Sequence, residues 1–149
     1  MPTRTARTGW NGSLEAGAGQ VELTSSQLAT YDVSFPKRTA ETANGSTSPE
    51  ELLAAAHSAC YAMQLSAVLT AAGGTVEALD VQADVSIGAD PAGGFMLTGI
   101  LLTVRGEVTG LDSAAFLAAA TEAKGGCPLS KALTGVEITL DAELVAEAA

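Results

Sequence analysis

The rhythm of apolar and polar positions changes several times along the chain. Residues 4 to 35 alternate weakly. Gly9 to Ala16, a break at Gly17-Ala18-Gly19, and Gln20 to Ser25 read as a hairpin, and Leu28 to Phe35 reads as another short strand. Phe35 to Ser48 is polar and rich in turn residues, so it is predicted as a loop. The next stretch, Leu52 to Ala72, is apolar nearly all round, broken by His57, Ser58, Gln64 and Ser66. Ser48 at the N-cap, Pro49 at the first helical position and Glu51 completing a capping box mark the start of a helix. Glu50 and Glu51 also suit the positive end of its dipole, and Gly73-Gly74 mark its end. Such a helix is about 36 Å long. With no polar face it is predicted to be buried on most sides.

Beyond it, Val76 to Gly88 alternates with period two, the turn falls at Ala89 to Gly94, and Phe95 to Val108 is the return strand. Leu111 to Lys124 reads as a second helix capped by Asp112 or Ser113 and ended by Gly125-Gly126. Cys127-Pro128 opens a short third helix, and Val136 to Val145 is a last strand. Strands and helices do not alternate as βαβ units, which predicts an α+β fold. The length suits one domain over residues 1–149 with a single core.

Composition adds three constraints. Apolar residues make up 47% of the chain but aromatic residues only 4%, so the core must be built from Ala, Val, Leu and Ile. Each Ala buries little area, and a second subunit would supply the missing surface. The net charge of −10 excludes nucleic acid as a natural partner, because phosphate binding needs clustered Lys and Arg. The first twelve residues, MPTRTARTGWNG, carry no apolar run and no secretion pattern, which predicts a cytoplasmic protein. The apolar stretch is read as a core helix, with no membrane involvement. Asn11-Gly-Ser and Asn44-Gly-Ser are then turns, not glycosylation sites.

The residues that bear chemistry are few. Cys60 sits in the middle of the long helix, away from its dipole, and two readings stay open: inert core filler, or a nucleophile that needs a cation brought from elsewhere. Cys127 follows two glycines and precedes Pro128, so it caps a helix where backbone N–H groups would stabilise a thiolate. By acidity alone it is the more reactive thiol, although a plain capping residue would look the same. His57 lies three residues before Cys60, on roughly the same face, as a base or a hydrogen-bonded core histidine. Lys37 and Arg38 lie in the polar loop, and Glu50 is placed to draw Arg38 inward through a bidentate pair. No Cys-x-x-Cys is present. His57, Cys60 and Cys127 supply three ligands where a structural zinc site needs four, so no metal or cofactor is expected.

Ser48-Pro-Glu-Glu-Leu-Leu-Ala-Ala-Ala-His-Ser-Ala-Cys60 resembles the cysteine-bearing helix of the OsmC/Ohr family of thiol peroxidases, and Gly126-Cys127-Pro-Leu-Ser130 resembles that family's second signature. The order of elements is similar throughout, and the His57-Ser-Ala-Cys60 form resembles the OsmC branch more than the Ohr branch. The resemblance implies antiparallel sheets packed around two long central helices in an intertwined homodimer. It implies an enzyme of oxidative and osmotic stress defence that reduces organic hydroperoxides to alcohols and hydrogen peroxide to water. Cys60 would be the peroxidatic cysteine and Cys127 the resolving one, joined as a disulfide and reset by a dithiol such as that of a lipoylated protein. Arg38 would polarise the Cys60 thiolate and Glu50 would orient Arg38, with Arg105 as the substitute arginine. Glu50 and Cys60 are ten residues apart on one helix, about 15 Å along its axis. Arg38 and Glu50 are therefore expected to serve the Cys60 of a partner subunit. The competing reading is a non-catalytic protein on the same fold that holds a small hydrophobic ligand.

Overall fold

The computed structural model describes residues 1–145. The chain forms two compact units, Met1–Leu52 and Leu53–Ala149.

In the first unit, β1 (Arg7–Asn11), β2 (Ala18–Glu22) and β3 (Thr30–Val33) form an antiparallel sheet in sequence order. Gly12 turns the chain out of β1 with a φ of +92°, a region open to glycine without strain. The loop predicted after β3 contains a one-turn helix, α1 (Phe35–Arg38). Four residues are too few to show a period, so sequence pattern does not reveal it. Ser46 Oγ donates to the carbonyl of Asp32 across 3.1 Å, which ties the following loop to β3. The long helix α2 (Pro49–Ala71) begins here. Ser48 caps it, its Oγ accepting the backbone N–H of Glu51 at 3.1 Å. The second half of the expected capping box differs: the Glu51 carboxylate accepts the Thr47 hydroxyl.

In the second unit, β4 (Thr75–Ala89) and β5 (Phe95–Thr109) form a long antiparallel hairpin. Helices α3 (Ser113–Gly126) and α4 (Pro128–Ala132) follow, then β6 (Ile138–Leu144). Asp112 is the N-cap of α3, its carboxylate accepting the N–H of Ala115 at 2.8 Å. Strand β6 pairs with β5 in parallel, so β5, the two helices and β6 make one βαβ crossover. This corrects the expectation of purely antiparallel sheets without βαβ units. The fold is nevertheless α+β, since every other strand pair is antiparallel.

The core lies in this second unit. Ile100, Leu102, Val104 and Val108 alternate inward along β5, and Phe116, Ala119, Ala120 and Ala123 come from α3. Gly106 completes the inward row for a steric reason. A Cβ there would lie 2.5 Å from a ring carbon of Phe116. Within this unit α2 contributes a narrow stripe, His57, Tyr61, Leu65 and Leu69, at the four-residue spacing of one helix face. Met63 on the same helix is 74% exposed. The helix is therefore not buried on most sides within one chain, as its apolar composition implied. It is long and apolar enough to cross a membrane by length and composition, but the stripe packs it against β5 and α3.

Candidate active site

Helix α2 and the α3–α4 junction bring the two cysteines together. Cys60 and Cys127 are both free thiols, half-buried and buried respectively, with sulfurs 3.3 Å apart in a thiol hydrogen bond. A disulfide needs about 2.05 Å, so closing the bond requires a movement of about 1.3 Å. Cys127 owes its place to Pro128, which starts α4 and leaves Cys127 as both the C-cap of α3 and the N-cap of α4.

The two thiols differ in acidity. Burial is the main influence on Cys60 and pushes it up. The N–H of Leu129 opposes this, and proximity to Cys127 adds to it. Burial also works against the Cys127 thiolate. Here it is outweighed by the N–H of Ser130, the contact with Cys60, the Ser130 hydroxyl and the N–H of Leu129, so Cys127 lies below the usual thiol range. When the pair loses one proton, Cys60 keeps the other. Cys127 is thus the more acidic thiol, as its capping position suggested.

No cation from the second unit relieves Cys60 among the described residues. Arg105, the substitute arginine, is held at the surface by Asp141 Oδ2 at 3.0 Å and Glu143 Oε2 at 3.2 Å. Lys124 donates to the carbonyl of Ile138 at 2.9 Å.

The first unit holds the other predicted pair. Arg38 ends α1 and Glu50 lies in the first turn of α2. Arg38 Nη2 donates to Glu50 Oε1 at 2.6 Å, and Nε lies 3.2 and 3.1 Å from the two carboxylate oxygens. The hydrogen bond to Glu50 raises Arg38, so it stays charged. Burial would raise Glu50, but the Arg38 hydrogen bond, together with its own backbone N–H and Ser48, holds it below its ordinary range. Beside Arg38 is a cavity of about 330 Å³, walled by Trp10, Leu14, Val21, Val33, Phe35 and Leu52. An alkyl or aryl group fits such a lining, and the guanidinium edge supplies polar contact.

Sequence reasoning placed Ser130 in the second signature but gave it no role. Its Oγ lies 2.8 Å from His57 Nε2, and both residues are buried. They stand 73 positions apart, so no local spacing links them. Burial lowers His57, which keeps the imidazole neutral.

Comparisons with known proteins place the chain in a family. The family model described as OsmC-like protein matches residues 42–141. The chain is 42% identical over 135 residues to the peroxiredoxin OsmC of Escherichia coli (strain K12), spanning 91% of this chain and 92% of that protein. It is 33% identical over 121 residues to the organic hydroperoxide resistance protein OhrA of Bacillus subtilis (strain 168), spanning 80% and 84% respectively. The crystal structure of an organic hydroperoxide resistance protein OsmC from Legionella pneumophila is similar with a TM-score of 0.76 at 30% identity, covering 96% of this chain and 98% of that one. The higher identity to OsmC than to OhrA fits the His57-Ser-Ala-Cys60 form.

Proposed function

The chain belongs to the OsmC-like family, and we propose that it is a thiol-dependent peroxidase that reduces organic hydroperoxides to alcohols. The contact of two free thiols, 3.3 Å apart in a buried setting, carries this reading.

The Cys60 thiolate attacks the distal oxygen of ROOH. An S–O bond forms, the O–O bond breaks, and RO⁻ takes a proton to leave as the alcohol. Sulfur loses two electrons and becomes sulfenic acid. Cys127 then attacks that sulfur, the S–S bond forms, and hydroxide leaves and is protonated to water. A dithiol restores both thiols by two exchange steps. A Cys127 shifted toward the thiolate suits the second step, because the thiolate is the form that attacks the sulfenic sulfur.

Arg38 is assigned the cation that Cys60 requires, with Glu50 holding the guanidinium in place. An arginine offsets the burial penalty on a thiolate and hydrogen-bonds the peroxide oxygens in the same plane. The ten-residue spacing of Glu50 and Cys60 along α2 supports supply of the pair by a second protomer, in a homodimer. The exposed apolar side of α2, with Met63 at 74% exposure, favours such an assembly. The apolar cavity beside Arg38 favours organic peroxides over hydrogen peroxide. A single catalytic domain spanning residues 1–149 and a cytoplasmic location, where dithiol reductants are abundant, belong to the same proposal.

The test is peroxide consumption with excess dithiothreitol. Cys60→Ser should abolish it. Equal turnover by wild type and Cys60→Ser would refute the enzyme and leave a ligand-binding protein.

A further inference from the structure

Building on the peroxidase reading, in which Cys127 resolves the oxidised Cys60, we propose that His57 and Ser130 are a positioning pair: their buried hydrogen bond pins α4 to α2 and so holds the Cys127 sulfur within reach of Cys60.

Spacing along the two helices makes this bond a second rung beside the sulfur contact. On α2, His57 lies three residues before Cys60, so both side chains leave one face. Opposite them, Ser130 lies three residues after Cys127. The N–H of Lys131 donates to the carbonyl of Cys127 at 3.0 Å and closes the turn that contains both. Two rungs of matching offset result: His57 Nε2 to Ser130 Oγ at 2.8 Å, and Cys127 Sγ to Cys60 Sγ at 3.3 Å. A third contact follows along α2, where the Tyr61 hydroxyl donates to the carbonyl of Ala120 at 2.9 Å. Along α2 the sulfur contact therefore falls between two buried hydrogen bonds.

The two bonds hold different elements. Tyr61 ties α2 to α3. Helix α4 has only five residues and joins α3 at Cys127. Of the three contacts, the His57–Ser130 bond is the one that reaches α4 beyond Cys127. A hold on Ser130 passes to the Cys127 backbone through that single turn.

Plain packing does not account for a histidine at this position. The ring is fully buried, and Nδ1 has no hydrogen-bond partner among the described residues. Burying an unpaired polar atom is unfavourable, and an apolar residue of similar size would fill the space without that penalty. The polar contact that the ring does make goes to Ser130. The bond is independent of the tautomer: the Ser130 hydroxyl donates to a bare Nε2, or its oxygen accepts from Nε2–H. It also needs no charge on Cys127.

The resolving step gives the hold its use. Once Cys60 is a sulfenic acid, Cys127 competes with a second peroxide molecule that would carry Cys60 to sulfinic acid. Resolution is intramolecular, so its rate scales with the effective concentration of Cys127 at Cys60. From the reduced contact the sulfurs must close about 1.3 Å to bond. A pinned α4 limits the search to that short approach. A loose α4 would let Cys127 swing away about the α3–α4 junction.

The experiment measures the effective concentration of the thiol pair, with no peroxide present. Reduced protein is equilibrated with glutathione and its disulfide. For each glutathione disulfide reduced to two thiols, one protein dithiol is oxidised to the Cys60–Cys127 disulfide. The oxidised fraction is read by acid quenching, alkylation and intact mass. Ser130→Ala should lower the effective concentration by about two- to tenfold, the worth of one net hydrogen bond. His57→Phe should lower it equally, and the double variant no further, because one bond is lost in all three. His57→Gln, whose amide can reach the Nε2 position, should restore it. Should His57→Phe fail to fold, His57→Asn, too short to place its amide against Ser130, takes its place with the same expectation. An unchanged effective concentration in folded Ser130→Ala overturns the positioning pair. A rise overturns it too, since Ser130 would then be favouring the reduced thiols. Additive losses in the double variant, or a His57→Gln protein no better than His57→Phe, also overturn it. Any of these failures leaves the peroxidase reading intact. A wild type that consumes no peroxide yet shows the coupled loss would overturn the peroxidase reading while supporting the positioning pair.

Discussion

Glu50→Gln is the substitution that most directly probes the arginine. It keeps the shape of the side chain and one acceptor oxygen, but removes the charge and one of the two oxygens that face Arg38. The Glu50 side chain is 10% exposed and that of Arg38 32%, so the pair stands between a surface ion pair and a buried one. Exposed pairs contribute about 0–1 kcal/mol, and breaking a buried pair costs about 3–5 kcal/mol. With the retained hydrogen bond, about 1–2 kcal/mol is expected here. If Arg38 acts on the transition state, this energy appears in the barrier, and kcat/KM for cumene hydroperoxide should fall by about five- to thirtyfold. The folded-state Glu50 lies below its ordinary value of 4.5, so its contribution to stability is present above that pH and is lost as the pH falls through the folded value. The stability gap between wild type and Glu50→Gln, read from urea unfolding, should therefore be widest at neutral pH and close on acidification. Arg105→Ala is the control. Its partners Asp141 and Glu143 lie at the surface, and turnover should not change. A folded Glu50→Gln protein with kcat/KM within about twofold of wild type would refute the role assigned to the pair.

Other outcomes follow from the same geometry. Cys127→Ser should consume one equivalent of peroxide and then stall, with Cys60 advancing to sulfinic acid under excess peroxide, as read by intact mass. Multiple turnovers by Cys127→Ser would show that resolution does not need Cys127. Gly106→Ala places a methyl group 2.5 Å from the buried Phe116 ring and should cost about 1–3 kcal/mol, lowering Tm by roughly 3–10 °C. An unchanged Tm would mean that the ring has room to move.

Particular features explain what the sequence revealed. Ser48-Pro49-Glu50-Glu51 marked the start of α2 to the residue, because capping chemistry is local. The β4–β5 hairpin was legible from alternation on both sides of a Pro-Gly turn. The Arg38–Glu50 pair was also anticipated, since a loop arginine close before an acidic helix start can be drawn to it. The parallel pairing of β6 with β5 was not legible, because alternation reports which side chains face inward and not which way the neighbouring strand runs. Composition misled on α2. A helix apolar all round is expected inside something, yet among the described residues of α2 only Glu50 and the His57–Leu69 stripe are buried. Ser130 was quoted in the second signature without a role, because its partner His57 is 73 residues away.

The central claim, that Cys60 and Cys127 form a peroxide-driven redox pair, is tested most directly by counting free thiols. The reduced protein would be treated with one equivalent of cumene hydroperoxide and read by thiol titration and intact mass. Loss of both thiols with a mass decrease of about two daltons is the predicted result, since a disulfide forms with loss of two hydrogens. Two thiols and an unchanged mass would contradict it, and would leave the cysteines as packing in the core.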